Sequence, residues 1–449
     1  MPAQPQKLWQ PMTHPGSVKS SPPKAIKTAQ DVFVTDQDGH TVLDAVGGLW
    51  NVNLGYSCQP IKDAITRQLE EMPYYSSFRG TTTDKTLELS TALTEWFSEE
   101  NMGRAFFTSG GSDSVETALR LARQYHKVKG DKDRYKFVSL KKGYHGTHFG
   151  GASVNGNGKF RRNYEPYLPG CLHVSCPWTY RNPFDENDPE RLAQLCAQQL
   201  EDEISSESAD TIAAFIMEPV LGSGGVIVPH KSFLPLVREI CDRNGILLIA
   251  DEVITAFGRT GSWTGSRLWD VRPDIMCTAK GITNGYFPFG ATLIGEGLVD
   301  AFESSQDSAG EINHGYTYSG HPVGAAAALA TLEQLGTTDV AKNSRERGVE
   351  LGAGLAALKE KHRSVGDVRG IGLMHALELV SNEKDKTPLD KKSMALAFET
   401  IYAHGVMVRV SGNNMILSPP LIVTDEHVRR IIEAIDHGLD ALTDQARPA

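Results

Sequence analysis

Two ionisable residues, an aspartate and a lysine, each stand at the end of a strongly apolar stretch of the sequence. Asp251 follows the run 246–250, the most strand-like segment of the chain, and Lys280 follows the run 275–279. Open α/β sheets bind ligands at the carboxyl ends of their parallel strands. Burial there lowers the pKa of an amine and makes a lysine a competent Schiff-base nucleophile. Taken singly, Asp251 could instead cap a helix, and Lys280 could bury its stem while its ammonium reaches water.

A glycine-rich turn lies between a short apolar run and an amphipathic helix, at residues 109–114 with the sequence SGGSDS. Glycines let the backbone approach a ligand closely, and free N–H groups at the N-terminus of a helix stabilise an anion. The turn matches neither the Walker phosphate loop nor a dinucleotide-binding fingerprint. Asp113 and Glu116 could alternatively form an ordinary capping box, so anion binding is predicted here only in combination with other groups.

Two further turns contribute aromatic and hydroxyl groups. In the sequence GYHG at 143–146, Tyr144 could stack on a flat ring. His145 and His148 are three residues apart, but no third ligand stands near them, so no metal site is predicted. The segment 314–322, HGYTYSGHP, is dense in hydroxyl groups before a helix. It could alternatively be a polar turn with a cap.

Alternating strands and helices are predicted for the middle of the chain, from about residue 60 to 325. Apolar residues recur on one face of a helix at 115, 118, 119, 122 and 125. A second helix is predicted at 233–241, with Gly245 as a suitable stop. Apolar runs predict buried strands at 105–108, 137–140, 212–217, 246–250, 275–279 and 290–294. Such strands separated by amphipathic helices indicate the α/β fold class, with a mainly parallel sheet covered on both faces.

The beginning of the chain differs from this pattern. The first 30 residues are rich in Pro, Lys, Ser and Gln, and they predict an irregular arm with anchors at Leu8, Trp9 and Met12. Strand-like residues at 32–34 and 41–44 on either side of a polar turn then predict a hairpin.

The end of the chain predicts a smaller α+β domain. A long alanine-rich helix at 323–335 leads to strand-like segments at 372–379 and 406–410, and a final helix begins after Thr424 as its N-cap. The expected division is 1–60 for the arm and part of the small domain, 61–325 for the large α/β domain and 326–449 for the small C-terminal domain.

Composition excludes several classes of protein. The chain has 449 residues, of which 40% are hydrophobic and 22% charged, as in ordinary globular proteins and unlike disordered or collagenous ones. The formal charge of −10 disfavours a nucleic-acid partner. Six scattered cysteines suit free thiols in a reducing compartment. With no signal-like segment and no apolar run near the roughly 20 residues of a membrane helix, we expect a soluble cytoplasmic protein without a membrane partner.

The groups at the predicted sheet edge together meet one chemical demand. Pyridoxal phosphate needs a lysine for its aldehyde, an acid for its ring nitrogen and anion-binding amides for its phosphate. Lys280, Asp251 and the turn at 109–114 supply this set, and Tyr144 supplies an aromatic plate.

The sequence resembles, over nearly its whole length, the class III pyridoxal-phosphate aminotransferases, and within them the omega-amino acid:pyruvate aminotransferases. The resemblance rests on two ordered motifs, LIADEVITAFGRTG at 248–261 and PDIMCTAK at 273–280. It implies pyridoxal 5'-phosphate as cofactor and the fold type I architecture of such enzymes. It further implies ping-pong transamination of an omega-amino acid or primary amine with pyruvate, which yields an aldehyde or ketone and L-alanine.

The resemblance also implies roles for individual residues. Lys280 would hold the cofactor aldehyde and shuttle the proton, Asp251 would pair with the ring nitrogen, and Val253 and Tyr144 would pack on the two ring faces. The further cofactor contacts implied are Gly110, Gly111, Ser112, His145, Glu218 and Thr317. In this family the threonine at the position of Thr317 reaches the phosphate of the neighbouring subunit. A homodimer with shared sites is therefore implied, with a dimer of dimers as an open alternative.

Gly110 departs from the family pattern: the cradle usually reads NSGSEA and here reads SGGSDS, so one hydroxyl is lost and Ser112 and backbone amides would carry more of the phosphate. Two further positions bear on the subfamily. Ser223 stands where ornithine- and GABA-type relatives carry a glutamate. Arg409 would bind the carboxylate of the acceptor bidentately and move aside for amines without one. The substrate pocket would be lined by Trp50, Phe78 and Tyr144, although Trp50 and Phe78 could also be ordinary core residues.

Other activities remain open from the sequence alone. A taurine- or diamine-specific aminotransferase would need the same residues, and an aminomutase or decarboxylase of the same fold would need most of them. A non-catalytic protein on this scaffold would have no need of both Lys280 and Asp251. The amine donor is not determined by the sequence, because hydrophobic pockets discriminate only modestly between related amines.

Overall fold

The computed structural model describes residues 7–19, 22–306 and 308–445. Residues 1–6 and 20–21 of the predicted arm, together with 307 and 446–449, lie outside the described residues. The described strands are β1 Ile26–Gln30, β2 Phe33–Asp36, β3 Thr41–Asp44, β4 Met102–Thr108, β5 Lys136–Leu140, β6 Cys171–Val174, β7 Ile212–Met217, β8 Leu247–Asp251, β9 Ile275–Thr278, β10 Gly290–Gly295, β11 Val365–Ile371, β12 Met374–Asn382, β13 Thr387–Pro388, β14 Val406–Met407, β15 Arg409–Ser411 and β16 Asn414–Leu417. The helices are α1 Gly47–Trp50, α2 Gln59–Glu71, α3 Asp84–Trp96, α4 Gly111–Val128, α5 Phe149–Ser153, α6 Pro189–Glu207, α7 Phe233–Asn244, α8 Gly265–Leu268, α9 Glu296–Glu303, α10 Pro322–Thr337, α11 Val340–Lys361, α12 Lys391–Ala403 and α13 Asp425–Gln445.

A seven-stranded sheet in the order β4-β10-β9-β8-β7-β5-β6 carries the apolar runs of the middle of the chain. The five strands from β9 to β6 are parallel to one another, whereas β10 runs antiparallel to both β9 and β4. Every residue of β7, β8, β9 and β10 is buried, which is why these strands read as continuous apolar runs. The predicted fold class is confirmed.

Helices cover both faces of this sheet. On one face, Val115 of α4 and Val299 of α9 share a core with alternate strand residues such as Ile249. On the other face, Leu192 of α6 and Val237 of α7 pack against the intervening positions, Leu248 among them. The alternation between neighbouring residues of β8 follows from the two-residue period of a strand, and it leaves no polar face on the sheet.

A second sheet, in the order β1-β2-β3-β14, joins the two ends of the chain. The predicted hairpin is confirmed as β2 and β3, and β14 pairs in parallel with β3 through Val406 opposite Leu43. Strand β1 was not predicted, because all five of its residues are exposed and show no apolar pattern. The predicted anchoring of the arm is wrong for a single chain, since Leu8, Trp9 and Met12 are all exposed.

A third sheet, in the order β11-β12-β16-β15 with β13 beside β12, lies in the C-terminal part. The predicted strand at 406–410 is instead two strands, because β14 pairs with β3 and β15 pairs with β16. The final helix begins after Thr424 as predicted, and the His427 N–H donates to the Thr424 hydroxyl over 3.4 Å. The division into three regions stays a prediction. Among the described residues, no helix is both long and apolar enough to span a membrane.

Arg259, in the segment that follows β8, joins these parts of the chain. Its side chain is fully buried and donates to the carbonyl oxygens of Leu373 at 2.9 Å and Pro419 at 2.5 Å and to Oδ1 of Asn53 at 2.8 Å. Burial lowers the pKa of Arg259 to about 9. The guanidinium thus connects an N-terminal segment to two C-terminal ones.

The crossing of α11 over the turn between β11 and β12 gives a test of packing. A side-chain carbon added at Gly348 would clash with the carbonyl oxygen of Gly372, whereas one added at Gly297 in α9 would meet nothing within 4 Å. We expect Gly348→Ala to lower the free energy of unfolding by about 1–3 kcal/mol through overpacking. Gly297→Ala should be neutral or raise it by up to about 1 kcal/mol through helix propensity.

Urea unfolding of both variants in their cofactor-free form, followed by far-UV circular dichroism, measures the two effects. If Gly348→Ala were as stable as Gly297→Ala, helix α11 would not be fixed against this turn.

Candidate active site

A cavity of about 350 Å³ opens at the carboxyl edge of the central sheet. It is lined by ten residues that the sequence singled out as site residues, namely Trp50, Gly111, Ser112, Tyr144, His145, Glu218, Asp251, Val253, Lys280 and Arg409. Leu49 and Phe160 also line it and were not predicted, because isolated hydrophobic residues in loops give no local signal. Ser223, singled out for the subfamily, lies on its wall.

Three predicted site residues do not line this cavity within one chain. Gly110 precedes Gly111, the first residue of α4 and part of the cavity lining, and its backbone is extended with a φ of 173°. Phe78 is half exposed and lines a separate hollow of about 810 Å³. Thr317 is exposed, and its carbonyl oxygen accepts a hydrogen bond from the Tyr74 hydroxyl at 2.7 Å. The predicted roles of Phe78 and Thr317 therefore require a second chain.

The Asp251 carboxylate is buried at the end of β8, where it is held by two partners. Its Oδ2 lies 2.8 Å from Nδ1 of His145, and its Oδ1 accepts from the Val253 N–H at 3.2 Å. Against an ionised carboxylate, Nδ1 of the imidazole must be the donor. The backbone N–H of His145 donates to Asn155 Oδ1 at 2.5 Å, so the loop that carries the imidazole is itself fixed. His148 pairs separately with Asp113, so the two histidines do not converge.

Lys280 comes two residues after the end of β9 and lines the cavity. Strands β8 and β9 are neighbours, with Asp251 opposite Cys277, so the sheet brings the two predicted ionisable groups to one edge. Burial lowers the pKa of Lys280 to about 8, and the charges of Asp251 and Glu218 partly offset this effect. Its φ of 50° lies in the left-handed region, a conformation that costs about 1–3 kcal/mol for a non-glycine residue. The surrounding structure therefore imposes the position of this amine.

A second buried carboxylate, Glu218, joins two loops behind the cavity. Its Oε1 accepts from the Tyr144 N–H at 3.0 Å and its Oε2 from the Gly222 N–H at 2.8 Å. Burial raises the pKa of Glu218 to about 7, and the nearby His145 counteracts this rise. Glu218 thereby holds the aromatic plate of Tyr144 in place from below.

The N-terminus of α4 forms a narrow backbone cradle. A side-chain carbon added at Gly111 would lie 2.9 Å from Val253, and one added at Gly146 would lie 2.7 Å from the Ser112 hydroxyl oxygen. Only glycines fit at these two positions. The Ser112 Oγ also accepts from the Thr147 N–H at 3.2 Å. Because α4 spans 18 residues, its free N–H groups and dipole favour an anion at this point.

The residues present fit pyridoxal phosphate. The cradle offers amides to a phosphate, Asp251 offers a carboxylate to a ring nitrogen, and Lys280 offers an amine to an aldehyde. The absence of a side chain at Gly111 lets Val253 lie directly against the cradle. This donor set has the composition that a flat, phosphorylated aldehyde requires.

Arg409 and Trp50 lie on the remaining wall. Burial lowers the pKa of Arg409, and the only charge effect of note on it comes from Tyr144. Within the described part of the chain, the Arg409 guanidinium makes no ion pair. Trp50 is 2% exposed, and its indole nitrogen has no hydrogen-bond partner among the described residues. The cavity thus combines one unpaired guanidinium with a mostly apolar wall.

Comparison with known proteins agrees with this geometry. The family model "Aminotransferase class-III" matches residues 16–439. A putrescine–pyruvate aminotransferase of Pseudomonas aeruginosa is 36% identical over 419 residues, which cover 93% of this chain and 90% of that relative. The structure of an amine transaminase from an uncultivated Pseudomonas species, in its PLP-bound form, has a TM-score of 0.96 and 46% identity over 97% of this chain and 99% of that one. A thermostable omega transaminase six-fold mutant from Pseudomonas jessenii has a TM-score of 0.94 and 34% identity over 98% of each chain.

The low pKa of Lys280 gives a test that needs no turnover. In the cofactor-free protein, labelling of Lys280 by trinitrobenzenesulfonate should rise with pH through a midpoint near 8, because the neutral amine is the reactive form. An ordinary lysine titrates near 10.4. Since the Asp251 charge raises the pKa of Lys280, Asp251→Asn should move the midpoint to lower pH. Peptide mapping by mass spectrometry at each pH measures the labelled fraction.

A midpoint near 10 in the wild-type protein would mean that Lys280 is solvated like a surface lysine. A midpoint that Asp251→Asn moved upward would contradict the placement of the carboxylate beside the amine.

Proposed function

The chain belongs to the class III aminotransferases, which use pyridoxal phosphate, and we propose that it transfers the amino group of an omega-amino acid or primary amine to pyruvate. The products are an aldehyde or ketone and L-alanine. One observation carries this proposal: a single unpaired arginine, Arg409, faces the cavity that holds Lys280 and Asp251. Such a site binds one carboxylate and leaves the remaining wall for an apolar amine.

Pyridoxal phosphate, when bound, supplies an aldehyde for amines and a ring that takes up the electron pair left by a departing proton. We propose that Gly110, Gly111 and Ser112 hold its phosphate, together with Thr317 of a partner chain. Val253 and Tyr144 would pack on the two faces of the ring. Asp251, backed by His145, would keep the ring nitrogen protonated, which favours uptake of that electron pair.

Lys280 is proposed as the group that moves the proton. With a pKa of about 8, its amine is neutral in roughly a tenth of the molecules at pH 7 and in about half of them at pH 8, far more often than an ordinary lysine, so it can accept a proton from the substrate carbon and return it elsewhere. Its fixed backbone keeps the amine in the cavity while substrates enter and leave. Glu218 would hold the backbone of Tyr144 and the loop at Gly222, so that the aromatic ring of Tyr144 keeps its position.

Arg409 is proposed to bind the acceptor carboxylate with its planar fork. Ser223 stands on the same wall and supplies no counter-charge, so the guanidinium is available for a substrate carboxylate. An acceptor with two carboxylates would need a second cation, and apart from Lys280 the described lining of the cavity offers only Arg409. This argues for pyruvate over a dicarboxylic oxo acid.

The donor class follows from the apolar lining. Leu49, Trp50 and Phe160 surround the space that a donor would fill, which suits an amine carbon chain. A diamine donor is a second candidate, because the similar Pseudomonas aeruginosa enzyme is named for putrescine and pyruvate. An aminomutase or decarboxylase of this fold also binds a substrate carboxylate, so alanine formation from an amine and pyruvate is the assay that separates these activities from the proposed one.

A homodimer is proposed as the working form. Four aromatic side chains, Tyr74, Tyr75, Phe78 and Tyr318, are exposed on one surface beside Thr317, with exposed fractions of 38%, 56%, 51% and 58%. Exposed apolar patches of this kind mark interaction sites. Thr317 and Phe78 cannot serve the cavity of their own chain, so each would complete the site of the partner.

Replacement of Lys280 tests the proposed proton transfer. Lys280→Ala should lower the rate of alanine formation from an amine and pyruvate by about 1000-fold or more, because general acid–base catalysis alone contributes roughly 10²–10⁴-fold. Lys141→Ala removes an exposed lysine after β5 and should leave the rate unchanged. Initial rates with saturating cofactor give the comparison. Near-normal rates in Lys280→Ala would refute the assignment.

Replacement of Arg409 tests the proposed acceptor. Arg409→Gln should lower kcat/KM for pyruvate by about 10- to 100-fold, mainly through KM, because a charged hydrogen-bond pair worth roughly 1.5–3 kcal/mol is lost. The kcat/KM for butanal, an amino acceptor without a carboxylate, should be unchanged. Steady-state kinetics with one fixed amine donor measures both. Equal losses for pyruvate and butanal would show that Arg409 does not recognise the carboxylate.

A further inference from the structure

Arg369 on β11 lies outside the cavity and makes an unusual number of directed contacts. Its Nε donates to the Gly225 carbonyl oxygen at 2.7 Å, and its Nη2 donates to Asn414 Oδ1 at 2.6 Å. Its Nη1 donates to Asp367 at 2.7 Å and to Glu378 at 3.3 Å. Only 9% of the side chain is exposed. All three guanidinium nitrogens are therefore engaged, each with a different part of the chain.

The first of these contacts reaches the loop after β7, which forms one wall of the cavity. Ser223 of this loop lines the cavity, and the Gly222 N–H donates to Glu218, whose other oxygen accepts from the Tyr144 N–H. Gly225, two residues beyond Ser223, has a φ of 116°, so its backbone turns sharply where Arg369 holds its carbonyl group.

The second contact reaches the hairpin that carries Arg409. Asn414 begins β16 and pairs with Ser411 of β15, and Arg409 lies opposite Ile416 in the same ladder. Hydrogen bonds thus run without a break from the Tyr144 backbone through Glu218 and the loop to Arg369 and on to this hairpin. Arg369 is the link between the two walls.

The remaining contacts explain why the link is an arginine. Asp367 and Glu378 balance the charge of Arg369, and Arg181 also donates to Glu378 at 2.7 Å from the other side. The guanidinium also lies over the Trp178 ring, 5.0 Å from its centre. A lysine would keep the positive charge but has a single nitrogen. That nitrogen would not reach both Gly225 and Asn414, because the two acceptors lie along the separate directions of the Nε–H and Nη2–H bonds of the planar guanidinium.

We propose that Arg369 is a positioning residue for recognition of the acceptor carboxylate. It holds the hairpin of Arg409 against the loop of Ser223 at the spacing in which the Arg409 fork meets a carboxylate. This inference rests on the proposed function, in which Arg409 binds that carboxylate. Steps that involve no carboxylate should not depend on the spacing.

Arg369→Lys is the primary test, since it keeps the charge beside Asp367 and Glu378 and removes the fork. In the cofactor-loaded enzyme, KM for pyruvate should rise about 5- to 20-fold while kcat stays within about 2-fold. The half-reaction with 1-phenylethylamine, a donor without a carboxylate, should stay within about 2-fold, as should KM for butanal. Calorimetric binding of propionate, a carboxylate that cannot react, should weaken by the same factor as the KM for pyruvate rises.

Three further variants separate positioning from a general loss of structure. Asn414→Ala removes the hydrogen-bond acceptor of Arg369 on the hairpin and should raise KM for pyruvate as Arg369→Lys does. Asn414→Asp keeps an oxygen at this place, and its KM for pyruvate should be close to the wild-type value. Arg181→Lys alters another partner of Glu378 without touching Gly225 or Asn414 and should leave KM for pyruvate unchanged.

The proposal is overturned if Arg369→Lys changes the KM for pyruvate, the KM for butanal and the rate of the 1-phenylethylamine half-reaction by one common factor, or if it leaves all three unchanged. It is also overturned if Arg181→Lys has the same effect. A wild-type enzyme that binds propionate but does not convert pyruvate would refute the proposed acceptor alone, and propionate binding by the variants would still decide the role of Arg369. A wild-type enzyme that binds neither carboxylate would refute both.

Discussion

A buried carboxylate facing a partly buried amine is the constraint on which the rest of the structure depends. Asp251 is 5% exposed at the end of an entirely buried strand, a place where an unpaired charge would cost several kcal/mol. The imidazole of His145 and a backbone N–H meet this cost on the protein side. Lys280, which follows the neighbouring strand β9, lies in the same surroundings, and burial there lowers the pKa of its amine. The parallel pairing of β8 and β9 keeps both groups at one edge, so their separation is set by the sheet and does not depend on a mobile loop.

Around this pair, the loops and the hairpin that enclose the cavity are held in place by hydrogen bonds to side chains in the surrounding structure, and not by contacts that cross the cavity. Glu218 fixes the loop of Tyr144, Asn155 fixes the loop of His145, and Arg369 fixes the loop and hairpin on the far wall. Each anchor is a charged or amide side chain with a hydrogen bond to backbone. Of these anchors only Glu218 lines the cavity, whereas Asn155 and Arg369 hold its walls from outside, so the lining keeps a fixed geometry while the space in front of Lys280 stays open to substrates.

Much of this site could be predicted from sequence because its key residues end apolar runs. The runs before Asp251 and Lys280 are strands buried on both sides, and the rule that ligands bind at the carboxyl edge of a parallel sheet brings the two residues together. The pairing of His145 with Asp251 could not be read in this way, since 106 residues separate them and no local pattern reports a side-chain contact. Arg369 was missed for the same reason, as its partners lie on separate loops. Strand β1 was missed because all of its residues are exposed. Phe78 and Thr317, singled out by the family resemblance, lie away from the cavity of their own chain.

The pairing of β14 with β3 has a consequence for biosynthesis. The hairpin near the start of the chain finds its parallel neighbour only in a segment about 360 residues later, where Tyr402 also bonds to Asp36. At a translation rate of roughly 5–20 residues per second, the edge of β3 emerges from the ribosome and stays unpaired for about 20–70 s. During that interval β3 pairs with β2 on one edge only, although Leu43 and Val42 are both fully buried in the finished fold. The nascent chain therefore carries an open strand edge until β14 has been synthesised.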